Sequence, residues 1–530
     1  MTHPIAVSAL DIMAEARRRR TFAVISHPDA GKSTLTEALL LHAHAIVQAG
    51  AVHGKCGRRG TVSDWMAMEQ QRGISVTSAA IQFEYHNTVI NLVDTPGHAD
   101  FSEDTYRVLS AVDAAVMLVD ASKGLEPQTM KLFDALRQRA LPVITIINKW
   151  DRPGGDALAL MDEIRERTGL VPTPLTWPVG MSGDFRGVLD RRTDQYIGYT
   201  RTPGGATTAL EQHLAAADAA SLESAAWHTA VEESGLLHAE GQDHDETGFL
   251  AGRSTPVLFC AAVLNFGVQQ LLDVLVEFAP PAEARADIVG RRKPVDSAFS
   301  GFVFKVQSGM NSAHRDHVAF VRVCSGVFHR GMVVTHAATG RPFVTKYAQH
   351  MFGRERTVAD EAWPGDIVGL INASTLRVGD TLFEGEPVQF PPIPLFSPEH
   401  FRVARPDDTS KHKQFRRGIE QLDHEGVIQV LRSDLRGDQA PVLGAVGPMQ
   451  FEVVEDRMTH DFGVAIRFDT LPYQLARRTD PASAAALGHD RQVEVLTRSD
   501  GALLALFSTP WRLRNTERDH PDLLLADLAN

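Results

Sequence analysis

"SHPDAGKST", residues Ser26–Thr34, is the stretch on which the fold turns. It ends in Gly-Lys-Ser-Thr, the close of a phosphate-binding loop. The usual spacing, G-x-x-x-x-G-K-[S/T], wants a glycine where Ser26 stands. The surroundings supply what that position lacks. Before it lies the apolar run Phe22–Ile25, and after it Lys32–Gln48 carries Leu35, Leu39, Ala43 and Ile46 at helical spacing. A strand, a tight turn and a helix are the context a phosphate loop requires, because loop N–H groups and a helix N-terminus attract anions. Ser26, His27, Pro28, Asp29, Ala30, Gly31, Lys32, Ser33 and Thr34 therefore read as the phosphate-binding segment. Lys32 is placed to reach the β- and γ-phosphates, and the Ser33 hydroxyl to bind Mg2+.

Further apolar runs follow at Val89–Val93, Ala115–Val119, Val143–Ile147 and Val257–Cys260, separated by helical patterns. Short consecutive runs rich in β-branched residues are how strands buried on both faces of a parallel sheet read. The predicted architecture is an α/β domain of the doubly wound kind. Two of these runs end in chemistry. After "VINLV" comes "DTPG", Asp94, Thr95, Pro96 and Gly97: a carboxylate where the Mg2+-holding aspartate of such folds sits, and a glycine N–H for a γ-phosphate. After "VITII" comes "NKWD", Asn148–Asp151. The two acceptor oxygens of Asp151 match the N1–H and exocyclic amine of guanine, and adenine would leave that carboxylate unpaired. Asn148 and Lys149 would brace the loop and cover the base. In this order the three motifs specify GTP and argue against an ATP-dependent enzyme.

The remainder divides by texture. Residues 1–285 are assigned to the GTP-binding domain, with an insertion at about 154–254 of Gly/Pro turns, a strand pattern ("FRGVLD") and an Ala/Glu-rich helical part. Residues 295–388 carry "GFVFKV", "HVAFVRV", "GMVVTH" and "GDIVGL", short strands at even spacing that predict a small β-barrel domain. The proline-rich Phe390–Pro398 reads as a linker, and residues 396–530 mix helix and strand patterns into a C-terminal α+β domain.

Composition excludes several classes. No apolar run approaches the roughly 18–20 residues of a membrane span, and the N-terminal stretch does not read as a secretory signal. Three cysteines, Cys56, Cys260 and Cys324, without metal-ligand spacing point to a reducing, cytoplasmic setting. The 22 histidines form no H-x-x-x-H pair of the metalloprotease type. A net charge of 53 − 66 = −13 argues against a simple nucleic-acid binder. Arg17–Arg20 reads as the solvated end of a helix. Phe401–Arg417, with six Lys/Arg against two Asp, suits either RNA phosphates or a solvated helix face. His314–Asp316 reads as a turn between strands, and Cys56 as an inert thiol.

The variant loop, "DTPGH", "NKWD", "DWMAMEQQRGISVTSA", "NFGVQQLLD", "GFVFKVQSGMNSAHRDHVAFVRVCSG" and "LGAVGPMQFEVV" together resemble the translational GTPases. The likeness runs from about Asp11 to about Leu525 and is weakest at Gly154–Ser254 and after Thr479. In that family the first loop glycine is commonly replaced. The resemblance implies that His98 orients the attacking water beside an apolar gate of Pro28 and Ile74. It implies that Asp29 steadies the loop or a monovalent cation, and that Ser75 stands where relatives place the Thr that closes over Mg2+. The catalytic set is thus His98, Lys32 and Asp29, and the metal set Ser33, Ser75 and Asp94. The last guanine-binding element becomes "CAAV", with Ala261, Ala262 and Val263 at the base and the Ala262 N–H for guanine O6.

With no arginine finger in view, the expected reaction is GTP hydrolysis to GDP and phosphate, slow alone and stimulated by the ribosome at its large-subunit RNA loop, with contacts to both subunits. The resemblance further implies a monomer that acts at termination, releasing the decoding (class I) peptide chain release factors whichever stop codon was read. Two other readings stand: a translocase or ribosome-protection GTPase, and a GTP-dependent ribosome-binding module with weak hydrolysis. The early end of the chain opposes the first, and His98 opposes the second.

Overall fold

The computed structural model describes residues 8–46, 78–201, 207–308, 317–352, 355–394, 396–433, 439–488, 490 and 492–528. Ser75, Ile74, Cys56 and His314–Asp316 lie outside them.

The nucleotide domain is built on β1 (Arg19–Ser26), β2 (Ala79–Tyr85), β3 (Thr88–Asp94), β4 (Ala114–Asp120), β5 (Val143–Asn148), β6 (Val171–Pro174) and β11 (Ser254–Phe259). Their order across the sheet is β2-β3-β1-β4-β5-β11-β6. Every pair is parallel except β2 with β3. β3, β4, β5 and β11 are buried at each position, as consecutive apolar runs require when helices cover both faces. β1 lies in the middle, so its carboxyl end opens at the point where strand order reverses. Ligands of open α/β sheets bind at such points.

Three expectations need correction. The helix predicted over Lys32–Gln48 spans Lys32–His42. His44 takes the left-handed conformation, φ 56°, and the chain closes with His44 N–H to Leu41 O at 3.1 Å and Ala45 N–H to Leu40 O at 2.9 Å. This double bond pattern ends helices, but it is usually signalled by glycine. The stretch 154–254 is not one insertion. Helix Ala157–Thr168 and β6 return to the main sheet, while β7 (Thr176–Val179), β8 (Gly187–Asp190), β9 (Gln195–Thr200) and β10 (Leu210–Leu214) form a separate antiparallel sheet. Helix Ala225–Ala239 packs on it, with Trp177 Nε1 donating to Glu233 at 2.7 Å. Finally, Arg19 is not solvated. It is buried, pairing with Glu15 at 2.5 Å and with Asp366 of the second domain at 2.8 Å.

The second domain is an antiparallel sheet around its own apolar core, centred on strands Ser300–Ser308 and His317–Ser325. Register shifts at Ser300/Gly301 and Val303/Lys305 bend the first strand, as bulges do where a sheet curls into a barrel. Its strand Ala348–Phe352 meets β2 through Phe352 opposite Ile81, so the two domains share one continuous sheet. The third domain is a seven-stranded sheet with helices His412–Glu425 and Met449–His460 over one core. Lys411, Lys413, Arg416 and Arg417 face solvent there. Cys260 and Cys324 are free and buried. Among the described residues no helix is long and apolar enough to cross a membrane.

Candidate functional site

The missing glycine at position 26 costs nothing. Ser26 is the last residue of β1, and its backbone is not among the positive-φ positions. The turn needs its left-handed residues later, at Asp29 (φ 64°) and Gly31 (φ 96°). Gly31 then N-caps helix Lys32–His42 with no side-chain cap, leaving first-turn N–H groups for an anion. A Cβ at 31 would lie 2.6 Å from Asn148 Nδ2, so both conformation and space demand glycine.

Lys32 is buried and bonds Asp94 Oδ1 at 2.5 Å across the sheet. Both charges are thus held at the mouth of β1 and β3. Ser33 is half-buried one residue on. Thr95 donates to Val24 O at 2.9 Å, tying the "DTPG" turn to β1. Gly97 lies against Pro28 and accepts the Gln128 amide at 3.0 Å. His98 is one-third exposed, with Nδ1 3.2 Å from Asp100 Oδ1. In the loop itself the His27 imidazole meets Glu126, and burial holds the ring below its ordinary range.

At the far side Asn148 joins three segments. Its Nδ2 donates to Ala30 O at 2.8 Å and its Oδ1 accepts the Ala262 N–H at 3.0 Å. The Ala262 N–H, expected to face guanine O6, is therefore engaged with Asn148 here. Ala261 and Ala262 are buried and Val263 is half-exposed. Lys149, φ 64°, reaches Asp29 O and Asp120 Oδ2, the latter at 2.8 Å. Burial pushes the Asp120 carboxyl up, but the bonds from Lys149 and Ser122 outweigh it and leave it below the ordinary carboxylate range. Asp151 Oδ1 is buried with no hydrogen-bond partner. A buried acceptor without a donor is expensive unless a ligand supplies one, and guanine carries the donors this one lacks.

The structure thus brings Ser26–Thr34, Asp94–His98, Asn148–Asp151 and Ala261–Val263 to one edge of the sheet, and Ser75 lies outside the described residues. Sequence reading missed Asp120 and Asp100. Asp120 had a legible signal: it ends the apolar run "AAVMLVD" in register with Asn148, at the same sheet edge as Asp94. Asp100 had none for its contact with Met449, which is distant in the chain.

Comparison with known proteins matches the chain in three successive regions. Residues 17–281 match the Elongation factor Tu GTP binding domain, 298–385 match Elongation factor G domain 2, and 390–517 match the Class II release factor RF3, C-terminal domain. The chain is 44% identical to Peptide chain release factor 3 of Trichodesmium erythraeum, over 98% of both chains. It is 45% identical to the protein of that name from Symbiobacterium thermophilum, over 98% of this chain and 99% of the relative. A crystal structure of a Thermus thermophilus protein shares the fold, with a TM-score of 0.68 at 21% identity over 87% of this chain and 68% of that one.

Proposed function

We propose, from the premise that this chain belongs to the peptide chain release factor 3 family of translational GTPases, that the edge of β1, β3 and β5 is its catalytic centre. The chain is a GTPase of translation termination that promotes release and recycling of class I release factors from the ribosome. The roles of individual residues are our own reading. The observation that supports the nucleotide assignment is the buried, unpartnered Oδ1 of Asp151 beside the Asn148 brace. Ala261, Ala262 and Val263 would flank the base.

Residues Ser26–Thr34 would wrap the phosphates. Lys32 would exchange Asp94 for the β- and γ-phosphates, so that no buried charge loses a partner without gaining one. Mg2+, when bound, neutralises phosphate charge; its oxygen donors would be Ser33, Asp94 and, from outside the described residues, Ser75. The buried Asp94 carboxylate, with the Ser33 hydroxyl as a second oxygen donor one residue after the Lys32 that bonds it, suits that hard cation. Gly97 would offer its N–H to the γ-phosphate, with Thr95 and Pro96 fixing the turn. Asp29 would hold the loop through the Lys149 contact. His98 would orient the attacking water, and Pro28 would limit its approach. Stop-codon independence, contacts with both ribosomal subunits and a monomeric state belong to this reading, as does action in the cytoplasm.

The test is GTP turnover with and without ribosomes, for wild type and His98→Ala. Strong acceleration of the wild type, lost on the order of a hundredfold in the variant, supports the mechanism. Binding of GTP with no effect of ribosomes would instead make the chain a nucleotide-gated binding module.

A further inference from the structure

His98 is one-third exposed, and its ring must be held if it is to orient water. Its holder is Asp100, two residues on. His98 Nδ1 accepts the Asp100 N–H at 3.3 Å and lies 3.2 Å from Asp100 Oδ1. The other carboxylate oxygen leaves the domain: Asp100 Oδ2 accepts the Met449 N–H at 2.7 Å. Met449 opens helix Met449–His460 of the third domain, whose own N-cap, Pro448, offers no side-chain bond. Asp100 thus supplies that cap from another domain, where a carboxylate meets free N–H groups and the positive end of the helix dipole.

The seat is shaped for this side chain. Asp100 is buried, and a Cβ on Gly447 would lie 2.1 Å from its Cγ. Gln450 Oε1 fixes the approaching turn by accepting Val446 N–H at 2.7 Å and Gly447 N–H at 3.1 Å. Phe101 packs beside it with Val427, Met449 and Val453. Asp100 therefore meets the imidazole through its backbone N–H, with Oδ1 alongside the ring, and meets the third domain through Oδ2.

We propose that Asp100 is a positioning residue through which the third domain sets His98, so that rapid hydrolysis requires helix Met449–His460 to be seated. With the helix in place the carboxylate is fixed, and with it the Asp100 N–H that Nδ1 accepts. With the helix lifted, Asp100 loses its fixed bond and the ring is free to turn. The inference rests on the reading of His98 given above.

The experiment is ribosome-stimulated GTP turnover by the full chain, with GDP affinity measured alongside as a check on the nucleotide fold. Asp100→Ala should lower kcat on the order of tenfold or more, with KM for GTP unchanged. Asp100→Asn should recover most of that loss, because its amide oxygen accepts the Met449 N–H and its NH2 faces His98 Nδ1. Gly447→Ala, in the other domain, should reproduce the kcat loss, and adding it to Asp100→Ala should cost nothing further. Additive losses, a matched rise in KM, or a kcat unchanged or raised in Asp100→Ala would overturn the proposal. His98→Ala separates the two readings. If it turns over at the wild-type rate, the role of His98 itself fails. If it is slow while Asp100→Ala and Gly447→Ala are fast, only the coupling fails.

Discussion

Asp151 shows how one atom can carry specificity. Its buried Oδ1 waits for a donor, and the cost of leaving such an acceptor unpaired is about 1–3 kcal/mol. Guanine offsets that cost through N1–H and its exocyclic amine, while a base lacking those donors does not. Asp151→Asn should therefore weaken GDP binding by roughly 100-fold, given two charge-assisted bonds lost, and should favour xanthosine diphosphate, whose C2 carbonyl accepts from the new amide. Competition binding with the two diphosphates checks this. At this scale the sequence was informative, because Asp94 ends a legible apolar strand and Lys32 and Asp151 stand in the short motifs that follow two others. The engagement of the Ala262 N–H by Asn148 was not legible, since it depends on how two loops meet.

Elements place these residues, and the helix after the phosphate loop has an acid-sensitive end. His42 is buried beside its left-handed terminus, and burial pushes its imidazole down to about 4. An unfolded histidine titrates near about 6.5. Below that value the unfolded chain therefore binds a proton that the folded one refuses. Stability from this site is complete above about pH 6.5 and is lost as pH falls toward 4, by on the order of 2–3 kcal/mol. His42→Gln should flatten that dependence, and thermal melting of both forms at pH 7 and pH 4.5 would reveal it. The helix itself was predicted from its spacing, but its end at His42 was not. No glycine marks the turn, and His44 adopts φ 56° because the surrounding packing imposes it.

Across the whole molecule, the helix Ser102–Leu109 that follows His98 lies where all three domains meet. Lys305 of the barrel donates to Ser78 O at 2.5 Å, and Ser78 N–H donates to Asp104 at 2.8 Å. Arg107 is buried, pairs with Glu103 at 2.8 Å and donates to the Glu425 and Gly426 carbonyls at 3.1 and 3.2 Å. Arg457 completes the junction, bonding Glu425 and pairing with Asp461 at 2.8 Å. Removing one member of a buried pair strands the other, at about 3–5 kcal/mol. Arg107→Ala should thus detach the third domain, seen as an increased radius of gyration in solution scattering and an earlier, separate unfolding transition. GDP affinity should stay near wild type, because Arg107 does not belong to the nucleotide edge.

The sequence by itself determined the α/β sheet, the nucleotide and the order of domain textures. Those rest on local patterns: apolar runs for doubly buried strands, and short motifs at their carboxyl ends. Tertiary structure alone decided the rest. It turned Arg19 from an apparently solvated charge into a buried clamp on Asp366, and divided the stretch 154–254 between two sheets. It also joined Asp100 to Met449. Each of these depends on a partner far along the chain, and a charged side chain looks the same in sequence whether water or another domain receives it.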